Sequence, residues 1–126
     1  MQKIINTQNA PAPVGPYNQA ILAGNTLYLS GQIALDPATG NLMMDNIETE
    51  TTQVMENLKA VLEEAGFSFA NVVKTTIFLS DMEMFGRMNA IYAKYFEGLI
   101  APARETVQVA NLPKYVNVEI SCIAVK

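Results

Sequence analysis

Residues 45–66 constrain this chain more than any other stretch. Ile47, Thr51, Val54, Met55, Leu58, Val61, Leu62 and Ala65 recur at helical spacing along one face. That pattern predicts an amphipathic helix whose apolar stripe must lie on something. Asp45 with Glu48 three residues later reads as a capping-box start, and Gly66 as the stop. Almost at once comes Val72–Leu79, a strand-like run rich in β-branched residues and suited to the middle of a sheet. A helix that feeds a strand able to receive its stripe already implies a helix-on-sheet layer.

The flanking segments extend the pattern. Asn9–Pro16 carries three prolines and reads as a surface loop that delivers Tyr17. Gln19–Leu22 and Thr26–Ser30 read as two strands joined by a Gly24-Asn25 turn. Asp36–Gly40 is a strong turn signal. Ser80-Asp81-Met82-Glu83 starts a second helix with Phe85, Met88, Tyr92, Tyr95 and Phe96 as its buried stripe. Pro102 and Pro113 bracket two final strands, Arg104–Val109 and Tyr115–Val125. The order is strand, hairpin, helix, strand, helix, strand, strand: an α+β class, with both helices on one face of a mixed sheet. No sequence remains to cover the other face, so self-association is expected.

At 126 residues the whole chain, 1–126, is expected to be a single domain. No apolar run reaches the roughly 18 residues of a membrane span, and Met1–Asn6 lacks a signal-peptide core. One cysteine, Cys122, forbids an internal disulfide, which suits a cytoplasmic setting. With one Cys and no His, no metal site of the usual kind is expected. The net charge of −4, with basic residues scattered, argues against nucleic acid as partner. Without His, proton transfer falls to carboxylates, tyrosines, lysines, backbone or water.

Two charges stand in strand sequence. Arg104 opens one of the last strands, and Glu119 interrupts an otherwise uncharged Val116–Val125. Burying an unpaired ion costs several kcal/mol, so each needs a partner or a task. One reading is an Arg104–Glu119 salt bridge that only holds two strands together. The other is a site, in which the planar arginine fork takes a carboxylate. Strand alternation sets Arg104 and Thr106 on one face and Glu105 on the other, and Glu119 with Asn117 and Ser121, away from Val118 and Ile120. Gly31, in Ser30-Gly31-Gln32, would let a ligand approach the backbone closely. Cys122 reads as inert and buried.

Taken along the chain, these residues form a collinear set. It runs from Gly15-Pro16-Tyr17 and Ser30-Gly31-Gln32-Ile33 through Asn57–Gly66, Val73–Phe78, Asn89 and Tyr92. It ends in Pro102-Ala103-Arg104, Leu112-Pro113-Lys114 and Val118-Glu119-Ile120. The set resembles the reactive-intermediate deaminase A (RidA) group of the YjgF/YER057c/UK114 family. The resemblance implies a chorismate-mutase-like fold of the bacterial type, in homotrimers whose sheets face inward and whose clefts lie between subunits. It implies cofactor-independent hydrolysis of short 2-imino acids, such as 2-iminobutanoate and 2-iminopropanoate, to 2-oxo acids and ammonia.

By that resemblance Arg104 would bind the substrate carboxylate bidentately. Glu119 would orient or deprotonate the attacking water, and Tyr17 would close the cleft and offer its hydroxyl. Ser30, Gly31, Asn89 and Thr106 would complete the substrate-binding set. The chain departs from archetypal members at Thr106, where many have Cys, at Glu105, where a small residue is usual, and at Asn111, often Arg. The Glu105 departure motivates a second reading, a non-catalytic protein that binds a 2-oxo acid and signals its presence.

Overall fold

A computed structural model describes residues 1–126. The elements follow the expected order. They are β1 (Gln2–Ile5), β2 (Ala20–Ala23), β3 (Thr26–Gln32), α1 (Ile47–Glu64), β4 (Val72–Leu79), α2 (Phe85–Lys94), β5 (Ala103–Gln108) and β6 (Val118–Val125). The leading strand, to which the sequence reading assigned no residues, is Gln2–Ile5. All six strands form one sheet in the order β1-β2-β3-β6-β4-β5. β6 runs antiparallel to both β3 and β4, while β4 and β5 are parallel and joined through α2. The last strand therefore inserts between two that α1 connects, which puts β6 at the centre.

The local causes are visible. Ala23 pairs with Thr26, leaving Gly24-Asn25 as a two-residue loop in which Gly24 takes φ +62°. In α1, the cap differs from the expected one. Asn46, not Asp45, has the extended backbone of an N-cap, and its Oδ1 accepts from Thr49 N at 2.8 Å. Glu48 is thereby free to bind Arg87 across the helix pair, at 2.7 and 2.8 Å. The second helix begins in a short 3₁₀ turn, Met82–Met84, capped by Asp81. β6 starts at Val118 rather than Tyr115, because Lys114 and Tyr115 both have φ 54°, a left-handed backbone that cannot join a ladder.

Both helices lie on one face, as the patterns required. Leu58, Val61 and Leu62 of α1 and Met88 and Tyr92 of α2 meet Leu27, Leu29, Ile77, Leu79, Ile120 and Ala124 of the sheet in one core. Each fully buried aliphatic side chain contributes about 1.5–3 kcal/mol. Cys122 belongs to this core, and burial pushes its thiol up to about 12, so it is inert as expected. The opposite face has no covering layer. Tyr28 and Val107 are about half exposed there, beside Phe78, Ile123 and the Lys74–Glu105 ion pair. No helix is long and apolar enough to cross a membrane.

Candidate active site

The register of the sheet decides where the two charges go. Arg104 pairs with Thr75, whose buried side chain faces the helices. Glu119 pairs with Phe78, three residues on, which faces the uncovered side. Arg104 and Glu119 thus stand on opposite faces of one sheet, separated by the width of β4. The salt bridge considered from sequence does not form. The ion pairs in the structure are Lys74–Glu105 and Arg87–Glu48.

Arg104 is held in an aromatic and polar cradle. Its guanidinium carbon lies 5.0 Å from the Tyr92 ring centroid and 5.3 Å from that of Phe85. One terminal nitrogen donates to Asn89 Oδ1 at 2.6 Å. Tyr92 is itself locked by a 2.7 Å hydrogen bond between its hydroxyl and Thr75 Oγ1, and burial pushes its phenol upward. Arg104 lines an open cleft of about 550 Å³ together with Asn89, Tyr92, Ala93, Phe96 and Pro102. Thr106 follows on the same strand face, and its buried Oγ1 has no hydrogen-bond partner. Such a cradle presents a bidentate donor to a carboxylate without having to order it first.

Glu119 lies in a second cleft of about 390 Å³, lined also by Tyr17, Ser30, Gly31, Ile33 and Lys114. The two clefts share no residue. Burial raises the pKa of Glu119, the only cause acting on it. A bulge in β3 makes room for it. Leu29 pairs with Cys122 and Gln32 with Ile120, so β3 carries one extra residue here. Gly31 falls in that bulge, and a Cβ on it would meet Glu119 Cδ at 2.8 Å and Cγ at 3.0 Å. The glycine is needed for the carboxylate to occupy its place.

The same cleft gathers two more residues named from the sequence. Tyr17 is half exposed at its rim, and its hydroxyl accepts from Val14 N at 3.4 Å. Ser30 Oγ donates to Asn18 O at 2.6 Å, so this hydroxyl ties the Tyr17 loop to the sheet. Glu105 lies away from Arg104, as alternation required, and bonds Lys74 and Thr76. Of the residues named from the sequence, Arg104 and Asn89 line one cleft, Glu119, Tyr17, Ser30 and Gly31 line the other, and Thr106 shares the strand face of Arg104 but lines neither.

Two residues were missed. Gln19, fully buried, donates to the carbonyls of Thr7, Ala10 and Pro11 and accepts from Thr7 N, so it pins the proline loop. Glu50, also fully buried, accepts from Asn117 N, Asn117 Nδ2 and Val118 N. A readable signal existed for Glu50, since it sits three residues after Ile47 and four before Val54, within the apolar stripe.

Comparison with known proteins adds to this geometry. The family described as Endoribonuclease L-PSP matches residues 7–126. A RutC family protein of Synechocystis is 59% identical over 124 residues, 98% of this chain and 95% of the relative. A mouse protein named 2-iminobutanoate/2-iminopropanoate deaminase is 48% identical over 126 residues, 100% of this chain and 93% of its own length. A crystal structure from the conserved Rid protein family of Yersinia pestis superposes with a TM-score of 0.98 at 48% identity, covering 100% of both chains.

Proposed function

This chain belongs to the Endoribonuclease L-PSP family, the family of the Rid and YjgF proteins, and we propose that within it the chain is a deaminase of short 2-imino acids. The reaction is hydrolysis, in which an imine and water give a 2-oxo acid and ammonia. One observation carries the reading. A preorganised carboxylate receptor at Arg104 and a half-buried carboxylate at Glu119 are both open to small ligands, and each lacks the other. The mouse relative's name supports the substrate class.

Because the two groups lie on opposite sheet faces, one chain does not bring both to one small substrate. We infer that the site closes between subunits of a homotrimer, whose uncovered sheet faces turn inward. Arg104, Asn89 and Thr106 come from one subunit, and Glu119, Tyr17, Ser30 and Gly31 from its neighbour. Arg104 holds the substrate carboxylate, with Asn89 fixing its guanidinium. Glu119, as the carboxylate, takes a proton from the attacking water while the oxygen adds to the imine carbon. The protonated acid gives that proton to the nitrogen, and Glu119 then carries the proton of the new hydroxyl to the same nitrogen as the C–N bond breaks, leaving the 2-oxo acid and ammonia. A pKa raised by burial suits both halves of the cycle. Imines hydrolyse readily, so positioning and charge stabilisation suffice, with no cofactor assigned.

Two inactive variants test the reading together. Arg104→Ala and Glu119→Gln each abolish release of 2-oxo acid from freshly generated 2-iminopropanoate. Unfolded and refolded as an equal mixture, they regain about a quarter of wild-type activity, since that share of interfaces combines two intact halves. No acceleration by the folded wild type would overturn the deaminase. Tight binding of 2-oxobutanoate without turnover would instead select the sensing role. No recovery on mixing would overturn the shared site.

A further inference from the structure

The turn that precedes β6 is strained, and a buried carboxylate binds the residues just beyond it. Lys114 and Tyr115 are consecutive non-glycine residues at φ 54°, a conformation that persists only where surrounding contacts impose it. Pro113 and Lys114 of this turn form part of the wall of the Glu119 cleft. Immediately downstream, Asn117 is gripped from two sides. Its carbonyl accepts from Ser80 N at 2.9 Å and its Oδ1 from Ser80 Oγ at 3.0 Å, at the end of β4. From the other side come the three hydrogen bonds to Glu50. Oε2 takes Asn117 N at 2.7 Å and Val118 N at 3.2 Å, and Oε1 takes Asn117 Nδ2 at 2.9 Å. Glu119 is the next residue in the chain.

Glu50 is 0% exposed and forms no ion pair. A buried carboxylate without a cation is costly, and its three donors are what offsets that cost. All three belong to the first two residues that lead into Glu119. We propose that Glu50 is a positioning residue, a clamp from α1 that fixes the strained Pro113–Tyr115 turn and through it the placement of Glu119. The inference rests on the deaminase reading only for its kinetic consequence.

The clamp depends on acceptor geometry and reach, and two variants separate these from charge. Glu50→Gln keeps the reach. Its Oε1 serves the two backbone N–H groups, and its amide N–H serves Asn117 Oδ1 once that side chain turns over. Glu50→Asp keeps the charge but retracts the carboxylate by about 1.5 Å. Hydrogen exchange at the Asn117 and Val118 amides reads the clamp directly. Carboxyl ¹³C titration of Glu119 reads its burial, in a cleft whose other titratable side chains are Tyr17 and Lys114, with the Lys74–Glu105 pair on the same sheet face.

Glu50→Asp is expected to lose protection at both amides and to move the Glu119 titration toward that of an ordinary glutamate. Its kcat falls on the order of 10–100-fold with KM little changed, because the substrate carboxylate is held by the other half-site. Glu50→Gln stays near wild type in all three. A Glu50→Asp protein with a lowered melting temperature but unaltered exchange, titration and kcat would overturn the proposal, and so would a Glu50→Gln as defective as Glu50→Asp. Should the wild type show no turnover, the deaminase reading fails while exchange and titration still decide the clamp.

Discussion

The two clefts are built on opposite principles. Around Arg104 the protein supplies rigidity to a charge that stays in contact with water: two aromatic rings, one amide oxygen and a locked tyrosine hydroxyl. Around Glu119 it supplies space and partial burial, through a bulge, a glycine and a strained turn, and gives the carboxylate no fixed cation. A group that must bind needs its geometry settled beforehand. A group that must pass a proton needs its pKa moved, and desolvation is the means.

The contrast can be broken most sharply at Arg104. Replacing it by alanine is expected to cut kcat/KM by on the order of 10²–10³-fold with thermal stability nearly unchanged, because the guanidinium is exposed and unpaired with any carboxylate. Arg104→Lys should fail in the same way, since an ammonium cannot supply the fork. A large fall in melting temperature for either would mean that Arg104 is a structural residue.

Gly31→Ala probes the space on the other side. The added methyl would displace the Glu119 carboxylate, and kcat is expected to drop about 10–100-fold while binding of a 2-oxo acid to the intact Arg104 half weakens little. Wild-type kcat would show that the carboxylate has freedom to spare. Asn89→Ala sharpens the first half more gently. It removes one charge-assisted bond, and a rise in KM of about tenfold with unchanged kcat is expected from steady-state kinetics.

The smallest effect is on stability against pH. Glu119 has its folded pKa raised by burial, so the folded state holds this proton more tightly than the unfolded chain does. The contribution is present at pH below the ordinary glutamate value and is lost as pH rises through the raised folded value. Glu119→Gln should remove that loss, making the variant gain stability relative to wild type on going from pH 4 to pH 7 in paired melting curves. The gain is modest, because the group is only half buried and partly screened. Activity should climb over the same interval if Glu119 works as a base. An identical pH dependence of stability in variant and wild type would contradict the raised pKa.

How legible was this from sequence? The helical stripe of α1, the strand run after it, the two-residue turn at Gly24-Asn25 and the alternation around Arg104 and Glu119 were all readable. Each depends on local period and backbone chemistry. The bounds of β6 were not, since nothing in Lys114-Tyr115 announces a left-handed backbone that only tertiary contacts impose. The N-cap was misplaced by one residue because Asp45 and Asn46 both qualify chemically, and only the entry angle of the chain chooses between them.

By itself, then, the sequence determined the element order, the facing of Arg104 and Glu119 on their strands, the residue types able to bind a carboxylate or move a proton, and family membership. Tertiary structure decided which of those residues meet. Register between β4, β5 and β6 sends Arg104 and Glu119 to opposite faces, and a clamp between residues 67 and 68 positions apart in the chain holds the turn beside Glu119. The reason is physical. Periodicity is set by the geometry of consecutive residues, whereas register and long-range hydrogen bonds are set by the packing of whole elements, which no local pattern encodes.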